Sequence, residues 1–232
     1  MVPATPIAIA SAAPTVRVMV VGRGGRHYLP PRAVRAGATT VRAGNKRCAV
    51  AAATPLAALA ARRVSMRVRD YGGSCNGDPG NSGALFVFQV GPDRNRGRDG
   101  WTYKVGTRAG TAGAADAAGP FGNGRLRGGE HVTWFWCVLS RRGSCQRTLG
   151  LAPHSHRVRG GHMLHVTVFG YDDNAHRVRV RGARVRIAGG GSGVSGPDGV
   201  AAVRVGRSRG LRTISAMRRG MVRAFPQRVR VT

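Results

Sequence analysis

The sequence predicts a mainly β chain with one short helix, arranged as an α+β domain over residues 15–150 and a β-sandwich over residues 162–232. Three observations carry this. Short runs of β-branched residues recur between glycine-rich turns along the whole chain. Only residues 54–62 have both the start signal and the composition of a helix. All four cysteines, Cys48, Cys75, Cys137 and Cys145, precede residue 150, so the two halves differ in how they are stabilised. A chain of 232 residues suffices for one large domain or two small ones, each with a modest core.

The elements follow in order. Residues 1–14 hold Ile7-Ala8-Ile9 followed by Ala10-Ser11-Ala12, which reads as the end of a secretory signal peptide cleaved after Ala12. No positive segment precedes it and the apolar run is short, so Met1 is expected to lie within a longer signal peptide; the alternative is an Ala/Pro-rich leader. Residues 16–21 (VRVMVV) form a strand by their β-branched content, with a second extended piece around residues 39–42. Thr54 is a natural N-cap, Pro55 suits the first helical position, and the alanines and leucines propagate the helix. Strands are then expected at residues 65–69, 85–90, 101–105 and 132–139. Residues 151–161 have linker composition. Beyond them residues 164–169 alternate, residues 178–187 alternate around Gly182, and Gly196-Pro197-Asp198-Gly199 is a strong turn signal. Strands at 200–205, 211–216 and 228–231 complete the sandwich pattern.

Charge and cysteines bound the setting. Lys plus Arg total 38 against 9 acids, a net charge of +29, and only Lys46 and Lys104 are not arginine. The excess of arginine, alanine, glycine and valine reads in part as the codon usage of a high-GC genome. A surface this basic still adsorbs to nucleic acid, anionic lipid or envelope phosphate. No stretch has the ~18 apolar residues of a membrane-spanning helix. An even cysteine count in an exported chain indicates two disulfides, with three pairings possible. Cys137–Cys145, closing the RRGS turn of a hairpin, and Cys48–Cys75 are favoured. No C-x-x-C spacing occurs, which argues against a zinc ribbon or a redox centre.

Several motifs imitate chemistry. Gly80-Asn81-Ser82-Gly83-Ala84 resembles the nucleophile setting of trypsin-like enzymes. Taking His27, Asp70 and Ser82 in that order leaves too little chain between acid and nucleophile for twin barrels, so Ser82 is expected in a turn. Residues 93–99 imitate a calcium loop, but its last ligand position is Lys104 and three arginines oppose a cation. Residues 191–196 match G-x-G-x-x-G, yet a turn and a strand follow, which predicts a flexible hairpin loop. His154, His156, His162 and His165 cluster near the linker without a supporting cysteine or carboxylate pair. No catalytic residue, metal or cofactor is assigned. In a strand Trp134 and Trp136 share one face and Phe135 takes the other. One set builds the core. The other, with Trp101 and Tyr103, is a candidate surface for stacking a ligand, core packing being the plainer reading. Arg177-Val178-Arg179-Val180-Arg181 alternates like a half-buried strand. No helix-turn-helix, RNP-type pattern or zinc finger accompanies it, so salt-dependent polyanion binding is expected and sequence-specific nucleic-acid recognition is not.

Asp99-Gly100-Trp101-Thr102-Tyr103-Lys104-Val105, Gly119-Pro120-Phe121-Gly122 and Gly129-Glu130-His131-Val132-Thr133-Trp134 follow a Trp-x-Tyr-x-Val strand, a loop and a Gly-acid-x-Val-x-Trp strand. With Cys48 and the helix at 54–62, residues 15–150 resemble the transcobalamin-like C-terminal domain, a β-grasp module of exported bacterial proteins. In the vitamin carriers that domain closes over cobalamin against a large helical barrel. This sequence holds no such barrel, so cobalamin binding is not implied. Val180-Arg181-Gly182-Ala183-Arg184-Val185, Gly196-Pro197-Asp198-Gly199-Val200-Ala201 and Ile214-Ser215-Ala216 with Gly220 carry a second likeness. Through them residues 162–232 resemble bacterial Ig-like or carboxypeptidase-regulatory-like domains, which act as extracellular spacers or adhesive units. Together the resemblances imply a secreted, non-enzymatic binding or scaffold protein of the bacterial envelope. Its ligand surface is expected at Trp101, Tyr103, Trp134 and Trp136. The alternative is a basic polyanion-binding protein using the arginine-faced strands around residues 177–187. A hydrolase is the least favoured reading.

Overall fold

The computed structural model describes residues 12–232; of the expected leader, residues 1–11 lie outside them. The described chain is mainly β, with one α-helix and four sheets.

The first half contributes β1 (Thr15–Val21), β2 (His27–Arg35), β3 (Thr39–Ala43), β4 (Lys46–Val50), α1 (Pro55–Ala60), β5 (Met66–Asp70), β6 (Leu85–Val90), β7 (Asp93–Arg94), β8 (Gly100–Val105), β9 (Arg108–Ala109) and β10 (His131–Cys137). The first sheet runs β2-β1-β10-β8-β9, with β1 parallel to β10 and the other pairs antiparallel. The second runs β4-β3-β5-β6-β7, and β3 meets β5 through the single parallel pair Ala43–Val68. Alternation decides the faces. Val16, Val18 and Val20 enter a core shared with Val41, Val68, Val87 and the helix, whereas Met19 and Val21 point to the opposite side. Thr54 caps α1 as expected, its hydroxyl accepting from Ala57 N at 3.2 Å, and Leu56 and Leu59 seat the helix in the core. Cys48 bonds to Cys75 and Cys137 to Cys145, the pairings the sequence favours.

The second half contributes β11 (Thr148–Pro153), β12 (Arg157–Val158), β13 (Met163–Tyr171), β14 (Arg177–Arg179), β15 (Arg184–Ile187), β16 (Ser192–Val194), β17 (Val200–Arg204), β18 (Gly210–Met217) and β19 (Gln227–Val231). A third sheet centres on β13, which pairs with β11 along one edge and with β17 and then β14 along the other. The fourth runs β12-β19-β18-β15-β16. Val166, Val168 and Val203 from one meet Val185, Ile214 and Val229 from the other in a shared core. The strand expected at 178–187 is two strands in different sheets, because the positive φ of Gly182 turns the chain between them. Residues 191–196, expected as a flexible loop, hold β16. Gly193 runs so near β17 that a Cβ there would collide with the Ala202 carbonyl oxygen. The segment 151–161, expected as a linker, carries the end of β11 and all of β12.

The halves share packed surface. Met19, Val21, Phe135 and Cys137 of the first sheet form a third cluster with Val222, flanked by Cys145 and Phe225. The first sheet is therefore covered on both faces.

Candidate functional site

The four aromatics expected at a ligand surface are all buried. β8 and β10 place Trp101 opposite Trp136 and Tyr103 opposite Trp134, with ring centroids 6.0 and 5.4 Å apart. Three of their polar ends are spent inside the fold, and the buried Trp136 Nε1 has no hydrogen-bond partner. Trp101 Nε1 donates to Asp93 O at 2.7 Å, Trp134 Nε1 to Pro55 O at 3.2 Å, and the Tyr103 hydroxyl to Ala112 O at 2.7 Å. Burial raises the Tyr103 pKa well above the tyrosine range, with Asp116 adding to it. These rings make an interior, not an open strip. The expectation of a free face treated the first half as standing alone, whereas the second half covers the side holding Phe135.

The imitative motifs also resolve into structure. Ser82 is buried and its hydroxyl donates to the Ala49 carbonyl, while the Asp70 carboxylate holds Cys75 N at 3.1 Å and Lys46 at 3.4 Å. Asp93 accepts from Arg23 N at 2.6 Å and from the Tyr28 hydroxyl; burial, with Asp93 adding to it, pushes the Tyr28 pKa up to about 12. Asn95 and Asp99 accept from Trp101 N and Leu139 N, each at 2.9 Å, so the calcium-like loop spends its oxygens on backbone amides. The His154 ring bonds the Thr167 hydroxyl at 2.8 Å and lies 6.1 Å from His165. Among the described residues no group of three His, Cys, Asp or Glu side chains stands together to hold a metal.

What the sequence did not single out is the outer face of the second sheet. The pleat that sends Val68, Leu85 and Val87 inward sends Arg67 and Arg69 of β5, and Phe86 and Phe88 of β6, outward. Arg69 pairs with Phe86 in register, Arg94 of β7 stands beside them, and Tyr71 follows β5 at the rim. The Arg69 guanidinium lies 5.7 Å from the Tyr71 ring centre and 5.3 Å from that of Phe88, and Arg94 lies 5.5 Å from Phe88. Tyr71 and Phe86 are 65% and 37% exposed, their rings 5.5 Å apart and inclined by 59°. Where β3 leaves β5, an open groove of about 640 Å³ is lined by Arg42, Lys46, Arg67, Arg69 and Phe88.

This face is cationic, and the Asp70 carboxylate that also lines the groove is held by Lys46 and Cys75 N, not by an arginine. Arg42 and Arg47 stand directly opposite one another across β3 and β4, a like-charge pair that weakens the ladder. Among the described residues, ion pairs join Lys46 to Asp70, Lys104 to Asp173 and His176 to Asp172, and none involves an arginine. Guanidinium forks unspent on protein carboxylates are free for phosphate, sulfate or carboxylate groups, and the rings between them offer faces for stacking. The arginines around 177–187 are divided: Arg177 lies over the Phe169 ring at 4.9 Å and Arg179 donates to Asp198 O at 3.0 Å on the third sheet, whereas Arg184 and Arg186 stand exposed on the fourth.

No protein-family model and no curated protein matches the chain. Two disulfides mark an oxidising setting, and among the described residues no helix is long and apolar enough to cross a membrane.

Proposed function

We propose that this is an exported, non-enzymatic binding protein of the bacterial envelope that takes polyanions on the outer face of its second sheet. One observation carries the reading. Arg42, Arg47, Arg67, Arg69 and Arg94 share a solvent face with three aromatic rings, and among the described residues no carboxylate pairs with any of them. Holding Arg42 against Arg47 lowers fold stability, and an anion bridging the two relieves the repulsion. The net charge of +29 adds long-range attraction for such a partner. The order β2-β1-β10-β8, with β1 parallel to β10, supports the β-grasp reading of residues 15–150. Two sheets closing over one core support the Ig-like reading of residues 162–232, in which that part acts as a spacer. The test is binding of dextran sulfate and of an oligonucleotide between about 50 and 200 mM salt. Log affinity should fall linearly with log salt, and Arg67→Ala/Arg69→Ala/Arg94→Ala should flatten the slope. Affinity indifferent to salt and to those three substitutions would sink the proposal.

A further inference from the structure

We infer that the polymer taken by this face is a single-stranded nucleic acid bound without regard to base sequence; the inference rests on the polyanion reading above. Phe86 and Phe88 stand two positions apart on one side of β6, about 7 Å at the usual rise of a strand; Phe86 is exposed to one base, and the next meets Phe88 by displacing Arg69 or Arg94 from its ring toward a phosphate. Tyr71 offers a third ring beside them. Because the Tyr71 and Phe86 rings are inclined by 59°, those two present separate stacking faces and not the single flat platform that suits a sugar ring. Arginines flank the rings on both sides, Arg67 and Arg69 from β5 and Arg94 from β7, where a backbone running past the bases would place its phosphates. The groove between β3 and β5 leads that backbone past Phe88 to Arg42. Alternating cations and rings of this kind bind any base, since each has a π-face. A duplex keeps its base faces covered, and a sulfated polysaccharide has none, so both would engage the arginines alone.

The experiment is fluorescence anisotropy with three probes: labelled oligo-dT, a hairpin duplex and labelled dextran sulfate. Phe86→Leu/Phe88→Leu keeps the apolar bulk and removes the π-faces. It should weaken oligo-dT at least about fivefold, leaving the other probes within about twofold. Arg67→Ala/Arg69→Ala should weaken all three and lower the oligo-dT salt slope by about 0.7 for each phosphate no longer neutralised. Unchanged melting temperatures verify that both variants fold; where one shifts, Phe86→Leu alone and Arg67→Ala alone replace the pairs. If the leucine variant leaves oligo-dT unchanged, or weakens dextran sulfate equally, the nucleic-acid inference falls while the polyanion reading stands. If the alanine variant leaves all three probes unchanged, the polyanion reading falls with it.

Discussion

Replacing Lys104 by methionine tests how the two halves are joined. Lys104 lies on β8 with its side chain 0% exposed. Its Nζ donates to Asp172 O at 2.7 Å and Tyr171 O at 3.2 Å, and lies 3.3 Å from Asp173 Oδ1. Burial pushes its pKa below the ordinary lysine value, with Asp173 opposing. Two hydrogen bonds from a charged donor stabilise by roughly 1.5–3 kcal/mol each. Relief from burying an ammonium, several kcal/mol, offsets much of that gain. Asp173 Oδ2 still accepts from Cys145 N at 2.9 Å, but the change leaves its buried Oδ1, now 3.3 Å from Lys104 Nζ, without a partner, which adds to the loss. The net loss is about 2 kcal/mol, a fall in Tm of roughly 4–8 °C for a chain of this size. Lys104→Arg should do no better, since a wider planar fork replaces a compact ammonium among carbonyl oxygens. The pH sign is definite. The folded pKa lies below 10.5, so the unfolded state binds the proton more readily, and wild-type stability rises with pH across the window up to 10.5. The raised pKa values of Tyr28 and Tyr103 reverse that trend only above pH 10 or so. Calorimetry from pH 7 to 10 should therefore show a rise in the wild type that Lys104→Met lacks. A methionine variant with wild-type Tm and an unchanged pH profile would refute this account.

Three further outcomes are expected. Intact mass should increase on reduction by the four hydrogens of two disulfides. Loop entropy for separations of 27 and 8 residues predicts that Cys48→Ser/Cys75→Ser costs ~3.5 kcal/mol and Cys137→Ser/Cys145→Ser ~2.5 kcal/mol, and the reverse order in denaturant melts would count against it. Burial, then Arg223, lowers the pKa of His27; burial, then Arg17, lowers that of His131. Their folded pKa values lie below 6.5, so the unfolded state takes up protons first and stability should fall as pH drops through 6.5. His131→Phe keeps a ring stacked on Phe225, now 4.4 Å away, and should remove part of that fall; identical acid profiles would contradict it.

Local signals in the sequence found β1, α1 with its Thr54 cap, both disulfides and the turn at Gly196-Pro197-Asp198-Gly199, because each is decided by neighbouring residues. β2 went unseen: it contains Pro30 and Pro31, which a strand tolerates at a sheet edge, and edge position is a property of the assembled sheet. β11 was hidden by Gly150 and Pro153 and is specified by its pairing with β13. The aromatic surface was misplaced for a related reason, since only the far half of the chain determines that both faces of β10 are covered. In β6 every position but Gln89 is apolar, so alternation alone could not tell Phe86 and Phe88 from Leu85 and Val87. The legible clue lay across the ladder, in the R-V-R pattern of β5. Lys104 left a fainter one: it is one of two lysines in a chain whose other cations are arginine.

The loop inside the smaller disulfide has a consequence for resistance to proteolysis. Arg141 and Arg142 are exposed between Cys137 and Cys145, in a turn where Ser140 N donates to Ser144 O at 2.9 Å, whereas Thr148 and Leu149 just beyond are buried. This exposed arginine pair near the joint therefore sits within a covalent ring. A trypsin-like protease that cuts there opens the ring without parting the chain, and Lys104 keeps its grip on residues 171–173. Parting the chain by a cut in this turn takes reduction as well.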